Sequence, residues 1–290
     1  MKFGVTVIYY NPEEAVLEQL KIYEKIFDNI LIVDNSTALS HTIKNYLSDN
    51  KKITYKNMDG NKGMSAALNC AFEWAMAQKL DYILTMDQDS RYSAVDIRTM
   101  LHYIEGSNED DVAIYVANFA KLYWDKKKNR MVAGKPCIGR EEVKEVGMCL
   151  TSSSFVNVKA VQKILPLKDY FISYVDNFIS TDLIKHGYRL VRVGASYFEQ
   201  QVGERVKYSF LAEKLRVVHH KEERYYYMIR NNCYYRQKYK SDSQLKWRSY
   251  LLLWRLLFNI AIGEPQKWRK LKSCMKGYRD YRKGVYGKMP

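Results

Sequence analysis

The chain has 290 residues, 47% of them apolar, and a formal charge of +15. That composition is ordinary for a globular chain able to bury a core, as one large α/β domain or one domain with an appendage. Its five cysteines show no metal-ligand or redox spacing, and no apolar run reaches the roughly 20 residues of a spanning helix. Met1 runs directly into a strand pattern, from which no signal peptide is expected, and scattered thiols fit a reducing, cytosolic setting. The charge is uneven. Residues 201–290 hold 22 Lys/Arg against 7 Asp/Glu, and residues 1–200 hold 25 of each, so a boundary is expected near residue 200.

Residues 3–9 form an apolar, β-branched run stopped by Asn11-Pro12, which predicts a strand. The spacing of Val16, Leu20, Tyr23 and Phe27 predicts a helix next, with Asn11 as N-cap and Pro12 at its first position. A second buried strand at 29–33 ends in Asp34-Asn35-Ser36, a helix is expected at 42–47, and a short strand at 53–55. Asn61-Lys62-Gly63 closes a glycine-bearing loop that opens a helix running to about Gln78. Residues 82–86 form a fourth strand, which ends in Asp87-Gln88-Asp89. Four strands alternating with three helices imply a doubly wound, mostly parallel sheet. Later expectations are strands at 112–119, 145–154 and 190–193, a solvated turn at 125–129, and a helix at 158–164. A further helix follows Asp176 and is closed by Gly187.

Right-handed crossovers bring the polar ends of these strands to one sheet edge, where open α/β folds place ligands. Two carboxylates at i and i+2 past a strand end can hold a hard divalent cation, which in turn can neutralise a diphosphate. A nucleotide lying there finds carboxylates for base and ribose, and a helix N-terminus at Gly63 for phosphate.

These motifs resemble family 2 glycosyltransferases of the GT-A fold, in particular their rhamnosyltransferase-like branch. The matching stretches are Val7-Ile8-Tyr9-Tyr10-Asn11-Pro12, Val33-Asp34-Asn35-Ser36, Asn61-Lys62-Gly63 with Ala66, Ala67 and Asn69, and Met86-Asp87-Gln88-Asp89-Ser90. Phe171-Ile172, Val175-Asp176, Gly187-Tyr188, Arg224-Tyr225-Tyr226 and Arg230-Asn231-Asn232 extend the resemblance to about residue 240. The resemblance implies inverting transfer of a sugar from a nucleoside-diphosphate donor. It assigns donor binding to Tyr10, Asn11, Asp34, Asn35, Asn61, Lys62, Gly63, Asp87 and Gln88. It assigns a Mn2+ or Mg2+ ion to Asp87 and Asp89, and the general base to Asp176, whose apolar and aromatic neighbours in sequence favour a raised carboxyl pKa. An N-cap role for Asp176 is the alternative.

The chain departs from the family twice. Phe178 stands where many relatives have a second acid, and Gln200 where many have a metal-binding histidine; Gln200 can offer an amide oxygen, and His219 or His220 can substitute if the chain folds back.

In the basic last third, Tyr227, Arg230, Tyr234 and Lys238 share a helical face expected to pack on the catalytic domain, and Arg224 or Arg230 is a candidate for pyrophosphate. Residues 247–262, then a helix carrying Trp268, Leu271, Met275 and Tyr278 among lysines, read as amphipathic helices on an anionic membrane, or as a helical hairpin packed on the catalytic domain or on a second subunit in a homodimer.

The fold expected is thus α/β, GT-A and Rossmann-like over residues 1–200, with a basic helical extension over 201–290. The function expected is transfer of L-rhamnose from dTDP-L-rhamnose to a lipid-linked oligosaccharide acceptor, at the cytoplasmic face of the membrane. The alternatives are a UDP-hexose donor (galactose, glucose or galactofuranose) and a non-catalytic nucleic-acid or membrane-binding protein. Nucleic acid is set aside as a partner, because carboxylates at the ligand edge repel a polyanion.

Overall fold

A computed structural model of the chain describes residues 1–107, 109–125, 130–200 and 220–290. They fall into two compact units: Met1–Lys168 with Ile179–Val202, and Asp169–Phe178 with Gly203–Pro290.

The first unit opens with β1 (Phe3–Tyr9), α1 (Val16–Glu24), β2 (Ile30–Asp34), α2 (His41–Ser48), β3 (Ile53–Asn57), α3 (Met64–Ala77) and β4 (Tyr82–Asp87). It continues through β5 (Ser90–Tyr92), α4 (Ala94–Gly106), β6 (Val112–Asp125), β7 (Arg130–Ala133), β8 (Val143–Glu145), β9 (Ser154–Asn157), α5 (Val158–Val161) and β10 (Arg189–Gln200). Ahead of β10 comes α6 (Val175–Lys185), closed by Gly187 at φ 86.

The sheet order is β3-β2-β1-β4-β9-β6-β10-β5, with β7 beside β6 and β8 beside β10. The β3-β2-β1-β4 run and the β6–β10 pair are parallel; β9 runs antiparallel to both of its neighbours. The chain is therefore a mixed α/β fold with a mostly parallel central sheet, as the sequence implied. Its interior strands β1, β2 and β4 are nearly continuous apolar runs because helices cover both faces. The edge strand β3 carries Lys56 and is mostly exposed, which blunts edge-to-edge pairing. The core spans Val5, Val7, Ile30, Ile32, Leu84, Met86 and Tyr115, and reaches Ile97, Met100 and Ile104 of α4.

Four local expectations change. Asn11 caps no helix: it sits at φ 46, and α1 begins at Val16 with Ala15 before it and no side-chain cap. Asn tolerates the left-handed region, so Asn11-Pro12 makes a turn where the sequence pattern reads as a helix start. The strand expected at 145–154 splits into the end of β8 and the start of β9, and Ser153 between them has φ 59. The strand at 190–193 runs on to Gln200 through an irregularity after Val193. Helix α4 was not foreseen, although Ser93 caps it on Asp96 N at 3.1 Å. Beyond Asp125, the turn at 125–129 lies outside the described residues.

The second unit holds α7 (Glu222–Lys238), α8 (Ser243–Gly263) and α9 (Lys267–Arg282). Tyr225, Ile229, Cys233, Ile260 and Cys274 form its core. A buried Lys270–Glu264 ion pair, completed by the Tyr225 hydroxyl, ties α7 to the α8–α9 corner. Among the described residues no helix is long and apolar enough to cross a membrane.

Helices α7 and α9 approach closely at Gly277, where an added Cβ would stand 2.4 Å from the Tyr226 carbonyl oxygen. Backbone cannot yield as a side chain does, so Gly277→Ala is expected to destabilise the protein by about 1–3 kcal/mol. Thermal denaturation checks this. An unchanged midpoint would contradict the close approach.

Candidate active site

The site of the first unit is built where β1, β2 and β4 end together. In the parallel register Tyr9 lies opposite Asp34 and Ile8 opposite Asp87, so the two carboxylates leave the carboxyl ends of their strands one residue apart along β1. Asp34 is buried; its Oδ1 accepts from Ser36 N at 2.9 Å and its Oδ2 from the Tyr55 hydroxyl at 2.7 Å. Burial, then the hydrogen bond to Asp34, push the Tyr55 phenol upward, so it remains a proton donor to that carboxylate.

Asn35 binds in three directions. Its N–H donates to Tyr9 O at 2.8 Å, its Nδ2 to Gly63 O at 3.3 Å, and its Oδ1 accepts from Lys62 N at 3.3 Å. Asn61 Oδ1 accepts from Gly63 N at 3.0 Å, and Gly63 takes φ 87 ahead of α3, a conformation glycine adopts at little cost. The 61–63 loop is thereby fastened to the end of β2, with the N-terminus of α3 directly after it.

Gln88 acts as a backbone surrogate, accepting from Tyr10 N at 2.7 Å and donating to Tyr10 O at 3.1 Å. Asn11 N donates to Ser36 Oγ at 2.6 Å. Asp87 N donates to Ser152 Oγ at 3.2 Å, and Ser152 also bonds Ser90. Asp89 is exposed. Gln200, opposite Ser90 in the β5–β10 pairing, points its Nε2 at Asp87 Oδ2 from 3.0 Å. Beside these residues opens a cleft of about 760 Å³ lined by Asn11, Gln88, Asp89, Glu13, Glu18 and Glu199 among others. Among the described residues its acids (Glu13, Glu18, Asp89, Asp96 and Glu199) outnumber its one base, Arg91, so a counter-cation would favour a phosphate entering from that side.

The donors available to such a cation fit it. Asp87 and Asp89 offer carboxylate oxygens suited to a hard ion; Gln200 presents its Nε2 to Asp87, so its amide would have to turn over to add a third oxygen. Among the described residues no group of three or more His, Cys, Asp or Glu gathers, so the ion would rest on two carboxylates and an amide. His219 lies outside the described residues; His220 belongs to the second unit, its ring 6.1 Å from that of Tyr225.

Asp176 is in the first turn of α6, in the segment that belongs to the second unit. The approach to it is strained, since Phe171, Ser173 and Tyr174 have φ of 64, 66 and 66. Phe178, where relatives carry an acid, is buried and stacks on Tyr170 with centroids 3.7 Å apart. Arg230 is fully buried and donates to the carbonyls of Tyr170 (3.0 Å) and Gly287 (2.8 Å), which commits it to the fold and removes it as a pyrophosphate ligand. Arg224 is exposed. Tyr55 and Ser152 were missed in the sequence, and Ser36 was noted there only as the end of the Val33-Asp34-Asn35-Ser36 stretch. Ser152 lay in a small-residue run that reads as strand, and Tyr55 in a strand whose pairing with β2 no local pattern announces.

A family model described as glycosyl transferase family 2 matches residues 5–165. A stretch of 106 residues is 27% identical to the dTDP-rhamnosyl transferase RfbF of Shigella flexneri, covering 35% of this chain and 34% of that protein. The chain thus spans about a third of that relative's length. Among solved structures, S. aureus TarS 1–349 superposes with a TM-score of 0.52 at 14% identity, over 98% of this chain and 72% of that one. GalNAc-T7, solved with UDP, GalNAc and Mn2+, gives 0.54 at 13% identity, over 69% of this chain and 44% of that one. At such identities the likeness is one of fold, and that fold is GT-A.

Proposed function

This chain belongs to glycosyl transferase family 2, and from that premise we propose that it moves a sugar from a nucleoside diphosphate, with inversion, onto a hydroxyl of a lipid-linked saccharide. The observation carrying this reading is the convergence of Asp34, Asn35 with its 61–63 loop, and Asp87-Gln88-Asp89 at one sheet edge.

Asp34 and Asn35 take the nucleoside, the N-terminus of α3 after Gly63 faces phosphate, and Tyr10, Asn11 and Gln88 close the near side. A divalent cation (Mn2+ or Mg2+) held by Asp87 and Asp89, with Gln200 as third donor, would neutralise charge on the departing diphosphate. Asp176 removes the acceptor hydroxyl's proton, the oxygen forms a bond to the anomeric carbon, and the bond from that carbon to the diphosphate oxygen breaks. The partial match to a dTDP-rhamnosyl transferase supports dTDP-L-rhamnose as donor. UDP in the complexes of TarS and GalNAc-T7 supports a UDP-hexose as the second reading.

A lipid-linked acceptor and a peripheral site on the inner membrane face find support in the second unit. Trp247, Leu251, Trp254 and Phe258 form one exposed stripe of α8, and Trp254 is 70% exposed. Trp268, at 79%, and Met275 are exposed on α9, with Lys246, Arg248, Arg255, Lys267 and Arg269 exposed around them. Apolar rings ringed by cations match an anionic lipid surface better than a second copy of a chain that is itself basic.

Two measurements follow. Titrated with dTDP-L-rhamnose, UDP-galactose, UDP-glucose and UDP-galactofuranose, the protein is expected to bind dTDP-L-rhamnose tightest. Removing Mn2+, or Asp89→Ala, should weaken that binding on the order of tenfold or more, about 1.4 kcal/mol. Tightest binding of a UDP-hexose would replace the donor, and no metal-dependent binding of any would refute the reading. In co-sedimentation, phosphatidylglycerol vesicles should retain the protein while phosphatidylcholine vesicles do not, and a Trp254→Ser/Trp268→Ser pair should reduce retention on the order of tenfold. Absent retention together with a dimer in solution would make the surface a subunit contact.

A further inference from the structure

The Asp176 approach raises a problem that local sequence does not solve. Phe171, Ser173 and Tyr174 all occupy the left-handed region, which side chains other than glycine avoid. Such a loop relaxes unless its surroundings over-determine it. Ser173 adds to the burden, because its buried hydroxyl finds no hydrogen-bond partner among the described residues.

The compensation comes from α7, some 60 residues further along the chain. Asn231 Nδ2 lies 2.9 Å from Tyr170 O, 2.8 Å from Ile172 O and 2.9 Å from Ser173 O. One amide group thus spans the whole distorted stretch. Its orientation is fixed from behind: Arg230 Nε donates to Asn231 Oδ1 at 3.1 Å, so the nitrogen must face the loop. Arg230 is in turn held by the Tyr170 and Gly287 carbonyls and lies against the rings of Tyr226 and Tyr227. Next along α7, Asn232 Nδ2 reaches the Tyr174 hydroxyl at 2.6 Å, and the Tyr174 carbonyl accepts from Phe178 N at 2.9 Å at the start of α6. Asp176 falls between those two fixings.

We propose that Asn231, oriented by Arg230, is a positioning residue for sugar transfer: its amide holds the 170–174 loop in its left-handed form and so sets where Asp176 is presented. Asn231 is fully buried and touches backbone carbonyls, so it acts through Asp176. The inference rests on Asp176 being the base.

The test compares Asn231→Ala and the isosteric Asn231→Asp, which keeps the volume and loses the donors, with Asp176→Asn in the full-length protein. Both Asn231 variants are expected to lose kcat roughly 10- to 100-fold, the loss a misplaced base produces. Donor KM and dTDP binding should stay within about twofold, since donor binding belongs to other residues. Ser173→Gly added to Asn231→Ala should restore kcat several-fold, because glycine adopts that backbone freely and removes the unpaired hydroxyl. A purely structural role predicts a parallel loss of fold and donor binding with no rescue, and that result, or wild-type kcat in both Asn231 variants beside an inactive Asp176→Asn, overturns the inference alone. Wild-type activity in Asp176→Asn would remove the base assignment and this inference with it.

Discussion

The parallel register of β1 between β2 and β4 is the constraint on which the first unit depends, because it alone puts Asp34 and Asp87 at the same sheet edge. Tyr9 opposite Asp34 and Ile8 opposite Asp87 leave each carboxylate at the last paired position of its strand. A one-residue slip of either strand would turn its side chains to the other face and draw a charge toward the core. The apolar runs of β1, β2 and β4 hold the register, and side chains at the ends lock it: Gln88 across to Tyr10, Asn35 across to Gly63 and Lys62. Most of the polar groups expected to meet the donor are therefore already engaged with one another. The edge is organised before anything binds, which lowers the ordering cost of binding.

The two units solve different physical problems. The first buries its polar edge residues in hydrogen bonds and leaves Asp89 exposed. The second spends its buried polar groups on shape. Arg230 and Asn231 hold a distorted loop, and Lys270 with Glu264 closes a helical corner. Removing one partner of such a buried pair leaves an uncompensated charge, which is why the pair is more a constraint on shape than a source of stability. Among the described residues 220–290 most lysines and arginines stay on the surface, around apolar side chains that α8 and α9 do not bury.

Much of this could be read from the residues alone, and the exceptions have physical causes. Strands β1, β2 and β4 were legible because a both-sides-buried strand is an apolar run with an abrupt polar end. Asn11 was misread because an Asn-Pro pair carries the same local chemistry in a turn as in a cap. Helix α4 could have been found from Ser93 with Asp96 and from the spacing of Ile97, Met100 and Ile104. Tyr55 on Asp34 and Ser152 on Asp87 depend on pairings 21 and 65 residues apart, which no window of sequence displays. Arg230 is the sharpest case. An arginine among tyrosines in a basic segment reads as a phosphate ligand, and only burial reveals that its hydrogen bonds go to main-chain carbonyls.

The central claim is that the carboxyl edge of β1, β2 and β4 receives the donor's nucleoside diphosphate. Its most direct test is a crystal structure with dTDP and Mn2+. The base is expected against Asp34 and Asn35, and the diphosphate between the N-terminus of α3 and the Asp87–Asp89 pair. A nucleotide bound away from that edge, with Asp87 still bonded only within the protein, would contradict it.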